Sequence, residues 1–404
     1  MSDNVIIVGA GQAGAQTAIS LRTSGFKGPI TLIGDEPHLP YERPPLSKDY
    51  LAGELDGARL LIKPAQYYAD SDIDLHVQRR VVRIDRIGCT VEISDGSRLP
   101  YGWLVLATGG RVRPLDVPGA DLRGVHYLHS IQDVDAFREK LIAGTSLIII
   151  GGGYIGLEVA AIAHKYGCKI TLLETMPRVL NRVTAQALSQ FYTEIHREAG
   201  IDVRVNASVL ALEGDGEVRT VHYGNESLPA DLVIIGVGLV PNVELAAETG
   251  LLVDNGIVVD ECTRTLDPRI LAVGDCTSQP SALYGGRYRL ESVSNAIGQG
   301  KAAASVIIGS PVPFSEAPSF WSDQYDLKLQ MVGVPRSEDQ LVIRGDMSAR
   351  KFSACFLRDG VLVAVQSINM MKDFVHAKTL VANRWCPDPV KLADANITLK
   401  EMAA

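Results

Sequence analysis

The chain has 404 residues, of which 46% are hydrophobic and 21% charged, and its formal net charge is −8. This composition excludes a disordered chain, and the length is enough for two or three domains with sizeable cores. The negative net charge argues against a general nucleic-acid-binding protein, and no apolar run approaches the ~18 residues that a membrane-spanning helix requires.

Six cysteines are scattered along the chain, and no two of them are spaced as CxxC. Their spacing predicts neither a redox disulfide nor a zinc site, so we expect no metal centre. Each is expected to be a small buried side chain of a reduced, cytoplasmic protein. The first apolar run begins at Val5, which leaves no room for a signal peptide.

The first predicted element is a buried strand at residues 5–8 that runs into the glycine pattern GAGQAG at 9–14, and a helix follows. This arrangement aims backbone N–H groups and a helix N-terminus at a pyrophosphate. Asp35 follows the next apolar run, at the spacing where a carboxylate binds a ribose diol. These features predict a dinucleotide site, although a single glycine turn is also compatible with a tight packing corner.

The next segments are a loop and several short strands. Prolines fix the backbone of residues 38–48, which predicts a shaped loop rather than a helix. Alternating apolar residues predict strands at 81–84 and 90–93, with a hairpin turn at 95–96. The apolar run 103–107 predicts another buried strand.

A second copy of the glycine pattern, GGGYIG, lies at 151–156 and leads to a predicted strand at 170–173 that ends in Glu174. Two complete copies predict two dinucleotides, and hence electron transfer between them. The Glu174 carboxylate would repel the 2′-phosphate of NADPH and favour NADH. The nearby Arg178 and Arg182 would soften this preference, unless they are solvated surface charges.

The order of the elements predicts the domain organisation. A third short strand ends in Asp275, far from both glycine patterns, so the first module is expected to resume after the second is inserted. Beyond the prolines at 311–318 we expect antiparallel strands, a helix around 373–381 and an irregular tail. We predict an α/β fold of two Rossmann-like dinucleotide-binding domains plus a C-terminal α+β domain. The predicted boundaries are 1–111 with 237–312, 112–236, and 313–404.

Further short motifs accompany this pattern: PPLSK at 44–48, ATGG at 107–110, GLVPN at 238–242, AVGDC at 272–276 and FWSDQ at 320–324. In this order they resemble the putidaredoxin-reductase type of NADH-dependent ferredoxin reductase over nearly the whole chain. The resemblance implies FAD in the first module, NADH in the second, and single electrons passed to a 2Fe–2S ferredoxin that serves a haem monooxygenase or a ring-hydroxylating dioxygenase. Two alternatives stay open: a rubredoxin or quinone-type NADH reductase, and an NADH-sensing regulatory flavoprotein.

The glycine patterns and the resemblance together imply the cofactor-binding residues. At one position the chain departs from the family, because His129 stands where arginine is common near the flavin nucleotide. The FAD candidates are Gly9, Gly11, Ala13, Gly14, Asp35, Arg43, Lys48, Val81, Thr108, Gly109, Asp275, Val293 and Trp321. The NADH candidates are Gly151, Gly153, Tyr154, Ile155, Gly156 and Glu174.

Lys48 and Glu158 are the candidate catalytic residues. The resemblance implies that the Lys48 ammonium lies beside the reactive edge of the flavin, where it would stabilise the negative charge that develops as hydride arrives. Glu158 would form an ion pair with Lys48. Each has a structural alternative: an exposed loop lysine, and an acid in the first turn of a helix that the helix dipole stabilises. Trp321 either covers the flavin edge or packs in the core.

An acidic ferredoxin would need a local basic surface, because this chain is itself negatively charged. The candidates are Arg287, Arg289, Arg336, Arg344, Arg350, Lys351 and Arg358. The sequence leaves the oligomeric state open between a monomer and a weak dimer.

Overall fold

The structure is a computed structural model, and it describes residues 3–403. The chain divides into two compact units. Within the described residues, the first unit contains the segments 3–42, 58–111 and 240–320, and the second contains 43–57, 112–239 and 321–403. In the described range no helix is both long and apolar enough to cross a membrane. The domain boundaries given above stay a prediction.

The helices are α1 (Gln12–Thr23), α2 (Ala65–Asp70), α3 (Ile131–Phe137), α4 (Tyr154–Lys165), α5 (Gln186–Glu198), α6 (Glu244–Glu248), α7 (Val293–Ile307), α8 (Met371–Ala382), α9 (Pro389–Ala393) and α10 (Leu399–Met402), with 3₁₀ turns at Pro44–Ser47, Gly57–Leu60 and Arg138–Lys140.

The strands are β1 (Val5–Val8), β2 (Ile30–Ile33), β3 (Ile73–His76), β4 (Val81–Asp85), β5 (Thr90–Ile93), β6 (Arg98–Pro100), β7 (Trp103–Leu106), β8 (Gly110–Val112), β9 (Val125–Tyr127), β10 (Ser146–Ile150), β11 (Lys169–Leu173), β12 (Asp202–Arg204), β13 (Val209–Glu213), β14 (Thr220–Tyr223), β15 (Glu226–Pro229), β16 (Leu232–Ile235), β17 (Leu239–Pro241), β18 (Ile257–Val258), β19 (Ile270–Ala272), β20 (Thr277–Pro280), β21 (Arg287–Tyr288), β22 (Ser319–Gln324), β23 (Leu327–Gly333), β24 (Gln340–Asp346), β25 (Lys351–Arg358) and β26 (Val361–Ile368).

A five-stranded parallel sheet in the order β3-β2-β1-β7-β19 lies at the core of the first unit. In its central strand, Val5 lies opposite Ile30 on one side and Trp103 on the other. β1 is buried along its whole length, as is typical of a strand whose sheet is covered on both faces. β19 pairs with β7, so the first module does resume after the second one in the sequence.

The second unit repeats this plan in a parallel sheet of the order β12-β11-β10-β16-β9. Here Leu147 of the central strand lies opposite Ile170 and Leu232. In both units the central strand is followed by a glycine pattern and a twelve-residue helix. The prediction of two Rossmann-like modules is therefore confirmed.

Antiparallel sheets complete both units. The first unit carries β4-β5-β6, and the second carries β13-β14-β15. The C-terminal part forms the sheet β22-β23-β26-β25-β24, against which α8 packs. This is the α+β domain that the alternating apolar residues predicted.

Two expectations about irregular segments were wrong. Within the predicted loop, residues 44–47 form a 3₁₀ turn. Proline favours the start of a helix because its ring fixes the backbone φ angle near the helical value. The N–H that it lacks would have no partner in the first turn of a helix. The tail contains α9 and α10, which begin at good caps. The Asp388 carboxylate accepts from two backbone N–H groups, and Thr398 forms a capping box with Glu401.

Arg344 organises the C-terminal tail. Its side chain is 1% exposed, and its Nε donates to Asp373 Oδ2 at 2.8 Å. The guanidinium also donates to the carbonyls of Leu392, Asp394 and Ile397 in the tail. Arg344 was therefore wrongly assigned to the basic surface: the fold uses its charge internally, to hold the last residues of the chain.

Arg344→Met should lower the free energy of unfolding by about 3–5 kcal/mol, because it leaves the Asp373 carboxylate buried without its charge partner. Urea unfolding followed by circular dichroism measures the loss. The control is Arg350→Met, which removes two ion pairs with exposed acids and should cost about 1 kcal/mol. An equal loss in both variants would contradict the special role of Arg344.

Candidate nucleotide sites and the buried ion pair

The glycines of the first pattern serve two different purposes. Gly9 has φ +111°, and a Cβ there would lie 2.1 Å from the Ala107 carbonyl oxygen. A Cβ at Gly14 would lie 1.9 Å from the Gly9 carbonyl oxygen. At Gly11, by contrast, a Cβ would meet nothing within 4 Å. Packing explains the outer glycines, and the open space at the middle one fits the close approach of a pyrophosphate.

The second pattern has the same geometry. Gly151 has φ +111°, and its Cβ would lie 2.4 Å from the Gly236 carbonyl oxygen. A Cβ at Gly156 would lie 2.1 Å from the Gly151 carbonyl oxygen, whereas one at Gly153 would meet nothing within 4 Å. Both units therefore present an open middle glycine at the corresponding position.

The helices that follow both patterns begin without a capping side chain. Gly11 and Gly153 are the N-caps of α1 and α4, and neither helix has an acidic residue in its first turn. Elsewhere in the chain, Ser130 caps α3 and Ser292 caps α7. Uncapped N–H groups and the positive end of the helix dipole suit an anionic ligand. The residues at both turns thus fit a dinucleotide.

The two predicted ribose-binding acids lie at the ends of corresponding strands. Asp35 follows β2 and is exposed. Glu174 follows β11, and its carboxylate accepts from the backbone N–H groups of Gly152 and Met176, both at 2.7 Å. A Cβ at Gly152 would lie 3.1 Å from Glu174 Oε2. The absence of that side chain lets the carboxylate sit directly beside the glycine turn.

Arg178 is not a solvated surface charge. Its guanidinium donates to the carbonyls of Asn181 and Thr184, both at 2.9 Å, and to the hydroxyl of Ser189. Arg178 therefore organises the segment before α5 and has its donors engaged within the protein. Arg182, in contrast, is exposed.

The Thr108–Gly109 turn of the first unit is held by Asn242. The Thr108 hydroxyl donates to the Asn242 carbonyl at 2.6 Å, and the Asn242 amide donates to the Thr108 carbonyl at 2.9 Å. The Asn242 backbone N–H donates to the Gly109 carbonyl at 2.9 Å. The side chain of Thr108 thus fixes the turn.

The buried amide network beside the turn that carries Asp275 was not predicted from the sequence. Gln299 is fully buried, and its Oε1 accepts from the Gly274 backbone N–H at 2.6 Å. Gln279 and Asn295 continue the network. The sequence feature that could have indicated this network is the pair Asn295 and Gln299. These amides are four residues apart in α7, a helix of mostly small and apolar residues. Through this network α7 holds the turn that carries Asp275.

Two other FAD candidates, Ala13 and Val81, pack in the interior of the first unit, and a third, Val293, begins a helix. Ala13 is buried, and a Cβ at Gly274 would lie 2.8 Å from its methyl group. Val81 belongs to the core cluster under β4 and β5. Val293 is the first residue of α7, directly after its cap Ser292. Their contacts with FAD stay a prediction.

His129 and Arg43 meet in the second unit. Arg43 Nη1 donates to the His129 backbone carbonyl at 2.7 Å, and the His129 backbone N–H donates to Asp133 Oδ2 at 3.0 Å. Both contacts use the main chain of His129, so they do not depend on the replacement of arginine by histidine at this position.

The predicted pair of Lys48 and Glu158 is formed. Lys48 Nζ lies 2.7 Å from Glu158 Oε2, and the Lys48 and Glu158 side chains are 12% and 2% exposed. Glu158 also accepts from the Ser47 hydroxyl and, at 2.6 Å, from the Ser322 hydroxyl. Burial raises the pKa of Glu158, and the neighbouring Lys48 ammonium opposes this shift. The exposed-lysine alternative for Lys48 was therefore wrong.

The helix-dipole explanation of Glu158 was wrong as well. α4 begins at Tyr154, so Glu158 lies beyond its first turn, which contains no acid. Favourable dipole interactions are confined to about the first turn. The partners of the carboxylate are instead Lys48, Ser47 and Ser322, which come from elsewhere in the chain.

The aromatic candidates take different environments. The Tyr154 hydroxyl donates to Met331 Sδ at 3.0 Å, and burial raises its pKa. Trp321 is 37% exposed, so the interpretation that it packs in the core was wrong. Ile155, the neighbour of Tyr154 at the start of α4, is also exposed.

Residues 3–300 match the family described as pyridine nucleotide-disulphide oxidoreductase, and residues 319–403 match the family described as reductase C-terminal. The chain belongs to the pyridine nucleotide-disulphide oxidoreductase family. Its fold class and its resemblance to putidaredoxin reductase, both inferred from the sequence, are confirmed.

Individual members of the family are similar over nearly the whole chain. Rhodocoxin reductase of Rhodococcus erythropolis is 43% identical over 400 residues, which cover 98% of this chain and 93% of that protein. Putidaredoxin reductase of Pseudomonas putida is 43% identical over 410 residues, which cover 100% and 97%. The solved structure of the covalent putidaredoxin reductase–putidaredoxin complex matches with a TM-score of 0.97 and 43% identity, covering 99% of this chain and 98% of that chain.

This member of the disulphide oxidoreductase family carries its six cysteines as free thiols. Cys276, next to Asp275, is buried, and burial raises the pKa of its thiol. A raised pKa disfavours the reactive thiolate. Cys386 is exposed, so the expectation that every cysteine is buried was wrong.

Gly11→Val should abolish FAD binding and leave the free energy of unfolding of the flavin-free protein within about 1 kcal/mol, because the new side chain fills only the space open to the ligand. Flavin absorbance after incubation with FAD measures binding. Gly57→Val is the matched control, since a Cβ there also meets open space, and it should bind FAD normally. Full flavin content in Gly11→Val would contradict the site.

Proposed function

We propose that the protein is an FAD-dependent enzyme that takes a hydride from NADH and passes single electrons to a 2Fe–2S ferredoxin. The observation that carries the proposal is the pair of open glycines, Gly11 and Gly153, each at an uncapped helix N-terminus that follows the central strand of a parallel sheet. Hydride transfer from NADH to FAD requires two such dinucleotide sites. Bound FAD supplies the hydride acceptance and the single-electron release.

The acceptor is inferred from the relatives. The ferredoxin–NAD reductase components of the anthranilate 1,2-dioxygenase system of Burkholderia cepacia and the p-cumate 2,3-dioxygenase system of Pseudomonas putida are 38% and 37% identical, each over 99% of this chain. These relatives, together with putidaredoxin reductase, support a ferredoxin that serves a ring-hydroxylating dioxygenase or a haem monooxygenase. We also propose a cytoplasmic location, which the free cysteines support.

Rubredoxin is the second candidate acceptor. A rubredoxin–NAD reductase of Pseudomonas putida is 37% identical over 370 residues, which cover 91% of this chain. The two acceptors are separated by steady-state assays in which each purified iron–sulfur or iron protein is offered to the same enzyme with NADH. Faster turnover with rubredoxin than with every 2Fe–2S ferredoxin of the source would overturn the first choice.

Glu174 is the proposed determinant of NADH preference. Its carboxylate is held by two backbone N–H groups beside the second glycine turn, so its negative charge is fixed where a 2′-phosphate would approach. Arg178 donates to backbone carbonyls and a hydroxyl of the protein, so these donors are not available to bind a 2′-phosphate.

Glu174→Arg should narrow or reverse the preference for NADH over NADPH by roughly 1–3 kcal/mol, the value of a hydrogen bond to a charged group. The ratio of kcat/KM for the two nucleotides measures this change. Glu139→Arg makes the same charge change at an exposed position of the same unit and should leave the ratio unaltered. Equal kcat/KM values for NADH and NADPH in the wild type would contradict the proposal.

Lys48 is proposed to stabilise the reduced flavin, and Glu158 to hold Lys48. The ammonium is 12% exposed and is fixed by Glu158 Oε2 at 2.7 Å and by the Pro44 carbonyl at 3.3 Å. A cation that is already oriented and shielded from water stabilises developing negative charge without reorganising during the reaction.

Lys48→Met should slow flavin reduction by NADH roughly tenfold to a hundredfold in stopped-flow experiments and lower the flavin reduction potential, because it removes the stabilising cation. Lys165→Met is the control, since Lys165 is exposed and only loosely paired with Glu54. Unchanged rates and potentials in Lys48→Met would return Lys48 to a purely structural role.

The proposed basic docking surface is smaller than the sequence indicated. Arg344 is buried, and three further candidates are ion-paired: Arg289 with Glu291, Arg350 with Asp326 and Glu198, and Arg358 with Asp339. The exposed members are Arg287, Arg336 and Lys351. An ion pair cancels much of the long-range field that steers an acidic partner, so we propose the exposed Lys351 as the first candidate.

The rate of ferredoxin reduction should fall as salt rises from 0.1 to 1 M, because the Debye length shortens from ~10 Å to ~3 Å. Lys351→Glu should slow this step more than Lys27→Glu, an equal charge change at an exposed residue of the other unit. Flavin reduction by NADH is the reference step, measured at each salt concentration. If no 2Fe–2S protein of the source organism is reduced, the proposed function is wrong.

A further inference from the structure

A chain of hydrogen bonds leads from the Glu158 carboxylate into the interior of the second unit. Ser322 Oγ lies 2.6 Å from Glu158 Oε1, and Gln324 Nε2 lies 3.1 Å from Ser322 Oγ. Gln324 Oε1 lies 2.9 Å from His196 Nε2, and His196 Nδ1 lies 3.0 Å from the Tyr325 hydroxyl. None of these residues except Glu158 belongs to the reaction as proposed above.

The donors and acceptors in this chain have only one consistent direction. The Ser322 hydroxyl has a single hydrogen, which it donates to Glu158 Oε1, so the Gln324 amide must donate to Ser322. Gln324 Oε1 is then an acceptor, and His196 Nε2 must carry a hydrogen. His196 Nδ1 accepts from the Tyr325 hydroxyl. Every hydrogen bond therefore points towards Glu158.

The chain is shielded from solvent for most of its length. Ser322 and Gln324 alternate with exposed residues along β22 and are 1% and 2% exposed, and His196 is fully buried. Burial lowers the pKa of His196 to about 4, which keeps the ring neutral at physiological pH. A neutral ring is what the chain requires, since a protonated Nδ1 could not accept from Tyr325.

We propose that Ser322, Gln324 and His196 are positioning residues that keep the Glu158 carboxylate ionised and fixed, so that it can hold the Lys48 ammonium during flavin reduction. This inference rests on the proposed function, since it assumes that Lys48 acts on the flavin. It assigns to the first strand of the C-terminal sheet a part in tuning the redox site. Aligned hydrogen bonds in a buried network reinforce one another, and the accumulated dipoles favour a negative charge at the accepting end.

Three further titratable groups lie near Glu158 or its partner Lys48. Tyr154 lies on the same helix and Tyr192 on α5, and burial raises the pKa of both phenols above their ordinary value. Asp323 faces Lys48, and burial raises its pKa, which Lys48 opposes. Asp323 is exposed, so its titration is identified separately in an Asp323→Asn background.

The test is the titration of Glu158 in the flavin-loaded protein. Infrared difference spectra follow the carboxylic-acid band, with Glu158→Gln as the reference that lacks it. In parallel, stopped-flow experiments follow the pH dependence of flavin reduction by NADH. Ser322→Ala should move both titrations up by about one pH unit, because it removes a hydrogen bond to the charged form. Gln324→Met should move them in the same direction by less, and Ser322→Thr should restore the wild-type values.

The matched control is Ser367→Ala, which removes another buried hydroxyl of the same sheet, one that pairs with Ser353. It should leave both titrations unchanged. Wild-type titrations in Ser322→Ala and Gln324→Met, or an equal shift in Ser367→Ala, would overturn the proposal. If Ser322→Ala fails to fold, as judged by its melting curve and flavin content, Gln324→Met decides. The infrared titration needs neither NADH nor ferredoxin, so a failure of the proposed acceptor is distinguishable from a failure of this inference.

Discussion

The burial of one carboxylate is the constraint on which much of the second unit depends. Glu158 is removed from water inside a mainly apolar helix, and such a charge is costly unless it is paired and hydrogen-bonded. Lys48 and Ser47 supply partners from one segment, and Ser322 supplies a third from the C-terminal sheet. Three segments far apart in the sequence must therefore converge on one point. This requirement explains why residues 43–57 pack with the second unit, although they interrupt the first unit in the sequence.

The glycine turns differ from this site, because the backbone N–H groups at the start of the helices that follow them have no capping side chain. The outer glycines bring strand, turn and helix so close that a side chain would collide with the backbone, while the middle glycine faces open space. The helices that follow have no capping side chain. A pyrophosphate bound there would supply what the cap lacks, so we propose that ligand binding and stability are coupled at these positions. The buried network around Gln299 fixes the neighbouring turn without a ligand, and a turn that is already ordered would lose less entropy on binding.

The sequence predicted secondary structure well where a short segment determines its own conformation. It predicted the roles of charged side chains less well, because these depend on partners elsewhere in the fold. The central strands of both parallel sheets, the helices after both glycine patterns and the antiparallel C-terminal part were predicted from periodicity. The charged residues were harder to interpret. Arg178 and Arg344 were interpreted as possible surface charges. In the structure, both guanidinium groups donate hydrogen bonds to backbone carbonyl oxygens of the protein. An arginine that binds main-chain oxygens has no characteristic sequence spacing, because its acceptors belong to residues of any type.

The sequence by itself determined the two parallel modules, the insertion of one within the other, and the positions of Asp35 and Glu174. It could do so because the strand, the glycine turn and the acid at the next strand end are adjacent or regularly spaced in the chain. Only the tertiary structure decided between the two interpretations of Glu158 that the sequence left open, and only it showed the amide network behind Asp275 and the burial of Arg344. For Glu158, the contacts that decide its environment join segments more than a hundred residues apart in the sequence. Burial, charge pairing and hydrogen-bond direction are properties of the assembled interior, and no local pattern encodes them.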